Sequence, residues 1–319
     1  MKISKTISFI NHKGGVGKTT SSVMVAKILG EYYNKKVLFL DLDPQGNASS
    51  IMNNPLDNIY QLFVKLIINE DTKILKSDYT IEDILKGDIE PSKAIKHSEF
   101  KNVDFIPSYI TLTNVENLLS ITHSVPQQFR LDNELKKIKS DYDYIIIDCS
   151  PSINLLNTNA LVASDTVYIP MNVSLWAIAG MINVKEIIKQ VQTYSNLKLG
   201  GTFFTMFEPR KKLHKEVFNT ELKYRKEEFI PVTIRKNKLI EDISIEQKLE
   251  INFDKVQEEI KLEQELKTLT QNLLHINNIT EKEKKEIEEK YNYLQRKIDN
   301  SKYKAVIDYI KLTNYIINN

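Results

Sequence analysis

The octapeptide Lys13-Gly14-Gly15-Val16-Gly17-Lys18-Thr19-Thr20 sets three glycines between two lysines and closes on two hydroxyls. Glycines let successive backbone N–H groups turn toward one point, and the N-terminus of a following helix adds positive potential there. In such a loop Lys18 is placed to reach the β- and γ-phosphates of a nucleotide, and the Thr19 hydroxyl to ligate Mg2+. One lysine is enough to cradle a nucleotide, so Lys13 needs a role of its own. Farther along, Asp41, Asp43 and Asp148 end or follow apolar runs. A lone aspartate at such a place is a common turn former, but three of them with a phosphate loop read as ligands for magnesium and water.

These side chains need a scaffold that gathers strand ends. Thr6 to Asn11 reads as the strand ahead of the loop and Thr19 to Tyr33 as the helix behind it. Lys36 to Asp41, Val103 to Ile106, Tyr144 to Asp148, Thr166 to Pro170, Thr202 to Phe207 and Phe229 to Ile234 read as further strands. Near-continuous apolar strands are buried on both faces. The expected fold is therefore α/β: a doubly wound, mostly parallel sheet with helices on both faces. Residues 255–319 contain neither Gly nor Pro. There Asn277-Asn278 reads as a turn, and Thr280-x-x-Glu283 as a capping box opening a helix with Ile287, Tyr291, Leu294 and Ile298 on one face. The expected division is a nucleotide-binding domain over 1–275 and a C-terminal helical extension over 276–319.

The bulk numbers narrow the class. Of 319 residues, 41% are hydrophobic and 27% charged, an ordinary balance for a soluble globular protein. A net charge of +2 dictates no nucleic-acid or membrane partner, so any such binding must come from a local patch. The single cysteine, Cys149, excludes an intramolecular disulfide and reads as a small buried residue. No apolar run is long enough to span a membrane, and the first motif comes too early for a signal peptide. A cytoplasmic protein is expected.

KGGVGKT[ST] is the deviant Walker A motif, and with it the sequence resembles the ParA/MinD family of partitioning ATPases, in particular the ParA/Soj type. DLDPQGNAS (41–49), FIPS (105–108), DYDYIIIDCSPSINLLNTNALVASD (141–165) and GTFFTMFEPR (201–210) follow in the family's order. The resemblance covers about residues 4–275. It implies a P-loop NTPase with ATP and Mg2+ as cofactors, hydrolysing ATP slowly under stimulation by a partner. Lys13, Gly14, Gly15, Val16, Gly17, Lys18, Thr19 and Thr20 would bind ATP. Lys13 would reach across a nucleotide-sandwich homodimer to phosphates held by the other subunit, adding positive charge where two polyphosphates face each other. Asp43 would align the attacking water and complete a catalytic set with Lys13 and Lys18. Thr19, Asp41 and Asp148 would serve the metal. The sequence departs from the family at His12, where glutamine is usual, at Ser174, where glutamate is usual, and at Ile234-Arg235-Lys236, where Pro-Arg-Asn is usual.

Residues 207–238 carry ten Lys/Arg against five Glu, a local excess of +5. Arg210, Lys211, Lys212, Lys215, Arg235, Lys236 and Lys238 are the expected contacts to the phosphates of non-specific DNA. Dimerisation would double that patch and so couple ATP to DNA. The resemblance thus implies plasmid or chromosome segregation with a ParB-like centromere-binding partner, in the cytoplasm and on the nucleoid. The alternatives are a MinD-like membrane-associated ATPase, a positioning ATPase for a protein cargo, and a regulator of replication initiation. Tyr303, Val306, Ile307 and Ile310 do form an apolar face near the C-terminus, but only three lysines accompany it, so stable membrane association is not expected.

Overall fold

Strand Tyr144–Cys149 sends Ile145, Ile147 and Cys149 into one hydrophobic core and Ile146 into another. Val37–Leu42 alternates in the same way, with Leu38, Leu40 and Leu42 in the first core and Val37 and Phe39 in the second. A strand that is apolar on both sides needs helices above and below it. That is the arrangement in the computed structural model, which describes residues 4–52, 79–115, 126–152, 154–246, 249–275 and 281–319.

The strands are β1 (Lys5–Phe9), β2 (Val37–Leu42), β3 (Lys96–His97), β4 (Val103–Ile106), β5 (Tyr144–Cys149), β6 (Thr166–Asn172), β7 (Lys198–Phe207) and β8 (Phe229–Arg235). They form one eight-stranded sheet in the order β3-β4-β2-β5-β1-β6-β7-β8. Every pairing is parallel except the antiparallel β3–β4 edge. The expected strands are all present with shifted ends. β3 was not expected, because Lys96-His97 carries no apolar pattern. In such a sheet the crevice beyond the carboxyl ends of the strands is where ligands bind.

The helices are α1 (Lys18–Lys27), α2 (Asn47–Met52), α3 (Ile81–Lys86), α4 (Arg130–Leu135), α5 (Leu155–Ala163), α6 (Leu175–Gln192), α7 (Lys212–Tyr224), α8 (Lys238–Glu246), α9 (Phe253–His275), α10 (Glu281–Asn300) and α11 (Lys304–Asn318). A π turn at Ile28–Tyr32 continues α1 to the end expected for it. Helices α3 to α6 cover one face of the sheet; α1, α2 and α11 cover the other. The helix expected after the capping box starts at Glu281, while Asn277, Asn278 and Thr280 lie outside the described residues. On α10, Leu294 is buried and Ile287, Tyr291 and Ile298 are half-buried, and the helix packs along α9.

The expected boundary at residue 275 does not hold for α11. Its Val306, Ile307, Tyr309, Ile310, Leu312 and Ile316 are buried in the same core as Ile7 and Phe9 of β1 and Val23 and Met24 of α1. The apolar face read at Tyr303, Val306, Ile307 and Ile310 is therefore already covered by the sheet and α1. Periodicity shows that a helix has an apolar face, not which surface covers it. No helix among the described residues is long and apolar enough to cross a membrane.

If α11 is part of the core, Leu312→Ala, at a fully buried position, lowers unfolding stability by about 2–5 kcal/mol in urea titrations. A loss below about 0.5 kcal/mol, typical of surface sites, would place the helix off the body.

Candidate nucleotide site

The chain leaves β1 into the loop under tight restraint. Asn11 is buried; its side-chain amide donates to the Pro170 carbonyl at 2.8 Å, and its oxygen accepts the Lys13 N–H at 3.0 Å. Gly15 (φ +68°) and Gly17 (φ +81°) hold the left-handed conformation that a side chain would strain. The Thr205 hydroxyl donates to the Val16 carbonyl at 2.8 Å and pins the loop to β7. Gly17 is the N-cap of α1 and supplies no side-chain cap. The first N–H groups of α1 are thus left for an anion. Open space surrounds Gly14 and Gly15.

The two lysines of the loop make different contacts. Lys18 is buried, and its ammonium donates to the Lys13 carbonyl at 3.1 Å. Burial lowers its pKa against the pull of Asp148, Cys149 and Asp43. The Lys13 ammonium donates to Ser174 Oγ at 3.0 Å and Asn172 Oδ1 at 3.4 Å, at the start of α6. Both partners are neutral, and among the described residues no carboxylate pairs with Lys13.

Asp41 and Asp148 are register partners at the ends of β2 and β5. They behave differently. Asp41 Oδ2 accepts from the Ser49 N–H and hydroxyl at 2.8 and 2.7 Å, and Oδ1 from the Asp43 N–H at 3.0 Å. Asp41, expected beside the metal, has both oxygens holding the turn into α2. Asp148 is fully buried, and among the described residues no hydrogen bond of good geometry reaches either of its oxygens, although the Thr19 hydroxyl lies near enough to favour its charged form. Burial pushes its carboxyl up to about 8, and the charge of Asp41 adds to this; the Thr19 hydroxyl and the Lys18 ammonium pull it back. Burial likewise pushes Asp41 up to about 6. An orphaned carboxylate with a hydroxyl beside it is a hard-oxygen donor set that fits Mg2+. Asp43 follows on the same turn, almost buried, with Oδ1 accepting the Gln45 N–H at 3.0 Å and its carbonyl accepting from Ser108 Oγ. Cys149 is buried and burial holds its thiol neutral.

Beside the loop is a cleft of about 100 Å³. Gly17 and Thr20 border it from α1, Thr205 and Met206 from β7, Asn237 from the segment after β8 and Tyr309 from α11. Met206 has φ +51°, an uncommon conformation for a residue without a short polar side chain and one often found at ligand sites.

The expected basic surface is present in part. Arg210, Lys211, Lys212, Lys215, Lys236 and Lys238 are exposed. Lys211, Lys212 and Lys236 pair with Glu208, Glu216 and Glu241 at 2.7, 3.6 and 3.4 Å, weak surface contacts that DNA phosphates can displace. Arg235 is a correction. Its guanidinium grips Asp308 of α11, so it offers no free charge to DNA. Ser49, Ser108 and Thr205 also support the site; they lie in the segments 41–49, 105–108 and 201–210, but nothing in the sequence singled them out there. Asn11 and Tyr309 support it from outside those segments, and for Asn11 the only signal was its place beside the loop.

Residues 4–200 match the AAA domain family. The sporulation initiation inhibitor protein Soj of Bacillus subtilis is 34% identical over 237 residues, covering 74% of this chain and 85% of that protein. The chromosome partitioning protein ParA of Myxococcus xanthus is 31% identical over 237 residues, with 74% and 76% covered. A plasmid partition protein from Borrelia burgdorferi has the same fold with a TM-score of 0.58 at 30% identity, covering 76% of this chain and 96% of that one. Cobyrinic acid a,c-diamide synthase from Mycobacterium smegmatis, solved with a bound ATP analogue and magnesium, gives 0.61 at 27% identity, with 77% and 92% covered.

The carboxylate pair sets a pH dependence. Asp148 has a folded pKa of about 8 against an ordinary 3.8, so the folded state holds the extra proton between those values. Stability is then fully present below the unfolded value and is lost as pH rises through the window. Asp41, at about 6, slopes the same way. Without nucleotide or magnesium, the melting temperature falls from about pH 4 to 8, and Asp148→Asn removes much of that fall. An Asp148→Asn profile parallel to the parent's contradicts the assignment.

Proposed function

The chain belongs to the Soj/ParA family of P-loop ATPases, and from that premise we propose that it partitions DNA, in plasmid or chromosome segregation, by an ATP-driven dimer cycle. The observation that carries the nucleotide step is the orphaned Asp148 carboxylate facing Lys18 and Thr19 below an open glycine loop. Bound there, Mg2+ would supply positive charge that favours the ionised form of Asp148 and offsets the charge of the phosphates. Thr19 and Asp148 would hold the ion, with Asp41 keeping the turn beside them in place.

The loop residues Lys13 to Thr20 take the phosphates, with Lys18 neutralising the β- and γ-groups, and the cleft beside Gly17 and Thr20 takes the base. Asp43, held in one orientation by Gln45, aligns the attacking water. Lys13 leaves Ser174 and Asn172 for phosphates in a second copy, because two neutral acceptors hold it less firmly than a polyphosphate would. The closed dimer then binds non-specific DNA through Arg210, Lys211, Lys212, Lys215, Lys236 and Lys238. Slow hydrolysis, stimulated by a ParB-like partner, releases it. The protein works in the cytoplasm on the nucleoid. The membrane alternative is disfavoured because the face of α11 it would use is buried.

Three variants test this reading. Lys18→Ala loses nucleotide binding in titration calorimetry. Asp43→Ala retains ATP and stays on random-sequence DNA, while hydrolysis falls by about a hundredfold or more; hydrolysis at the parent rate removes Asp43 from the catalytic set. Arg210→Ala weakens ATP-dependent DNA binding alike on all sequences and lowers the salt slope of the dimer by about 2, one for each subunit. An unchanged slope takes Arg210 off the DNA.

A further inference from the structure

Among the described residues β8 is the last strand of the sheet on this side. Its pairing with β7 is irregular toward its end, where the register shifts between Phe204 and Phe207. The segment that follows, 235–237, forms one wall of the cleft beside the phosphate loop. On the sheet side the Lys236 N–H donates to the Phe207 carbonyl at 3.0 Å. On the other side the anchor is α11.

The Asp308 carboxylate makes most of that anchor. Asp308 Oδ2 accepts the Arg235 backbone N–H at 3.0 Å and Nε at 2.8 Å, and Oδ1 accepts Nη2 at 2.9 Å. The Asp308 side chain is 7% exposed and that of Arg235 21%. Nη2 also donates to the Lys304 carbonyl at 3.1 Å and to Glu263 of α9 at 3.4 Å, and Glu263 in turn takes Lys311 at 2.6 Å. The next residue, Tyr309, forms part of the cleft and shares a hydrogen bond with Ser21 of α1 at 3.1 Å. Two consecutive residues of α11 thus tie the segment after β8 and the helix behind the phosphate loop to one rigid element.

A buried ion pair is a poor source of net stability, because desolvation offsets the attraction. A bidentate fork nonetheless fixes orientation closely. Here it also takes up the charge of Arg235, and the remaining charges on this side of the cleft are the opposite pair Lys236 and Glu241, 3.4 Å apart, so the wall carries no net charge to attract a phosphate. We propose that Asp308 is a positioning residue for the nucleoside half of the bound nucleotide: by clamping Arg235 it sets the 235–237 wall of the cleft, while the phosphate loop grips without it. This rests on the nucleotide reading above and adds α11 to the machinery of recognition.

The test compares ADP with inorganic tripolyphosphate, each with Mg2+, by titration calorimetry on the full chain and on Asp308→Asn. The variant is expected to bind ADP weaker by on the order of tenfold and tripolyphosphate within about twofold of the parent. Equal losses for both ligands would mean a general structural role and would overturn the proposal, as would no loss for either. A parent that binds tripolyphosphate as tightly as ADP has no nucleoside grip, which overturns the proposal and spares the phosphate loop. A parent that binds neither overturns the nucleotide reading and this inference with it. Should Asp308→Asn not fold, Asp308→Asn/Arg235→Gln removes both charges together and is expected to show the same selective loss of ADP affinity.

Discussion

Asp148 lies at the end of a central strand, buried, with no hydrogen bond of good geometry to either oxygen among the described residues, and a carboxylate in that position is costly to ionise. The neighbouring structure keeps it there. Lys18 comes from the start of α1, Thr19 follows it, and Asp41 stands one strand away with its own oxygens satisfied by Ser49 and Asp43. The protein alone leaves this charge without a full complement. On the proposed nucleotide reading, a divalent cation with a polyphosphate would complete it, Asp148 and Thr19 serving the cation and Lys18 and the uncapped N-terminus of α1 the phosphates. The site is a charge balance left open for a ligand.

The loop can hold its shape only because other elements restrain it from several sides. Asn11 ties it to β6, Thr205 ties it to β7, and Tyr309 holds α1 from behind through Ser21. α11 makes further contacts along α1 and β1: Tyr33 donates to Asn314 at 2.5 Å, and Lys5 to the Ile316 carbonyl at 3.1 Å. The last helix therefore braces the site at two places, α1 behind the phosphate loop through Tyr309 and the segment after β8 through Asp308.

Much of this was legible in the sequence. The loop and the apolar strands announced themselves because their chemistry is local: glycines for positive φ, a lysine and a threonine at fixed spacing, and runs buried on both faces. The aspartates were found for the same reason, but their division of labour was not. Whether Asp41 or Asp148 is the free carboxylate depends on Ser49, eight residues away and brought back by a turn. Arg235 was misjudged more plainly. In a run of basic residues it looks like its neighbours, and only the return of the chain at Asp308 shows that its charge is already taken. The role of α11 was hidden in the same way, since an amphipathic face does not name the surface that covers it. The two-residue β3 left no apolar pattern to read.

The most direct test of the account is the oligomeric state, by sedimentation velocity, of the parent and Lys13→Ala with Mg2+ and either ADP or a non-hydrolysable ATP analogue. The account predicts a parent that is monomeric with ADP and dimeric with the analogue. It predicts a Lys13→Ala protein that binds the analogue yet remains monomeric. A Lys13→Ala protein that dimerises as the parent does, or a parent whose state ignores the nucleotide, would contradict it.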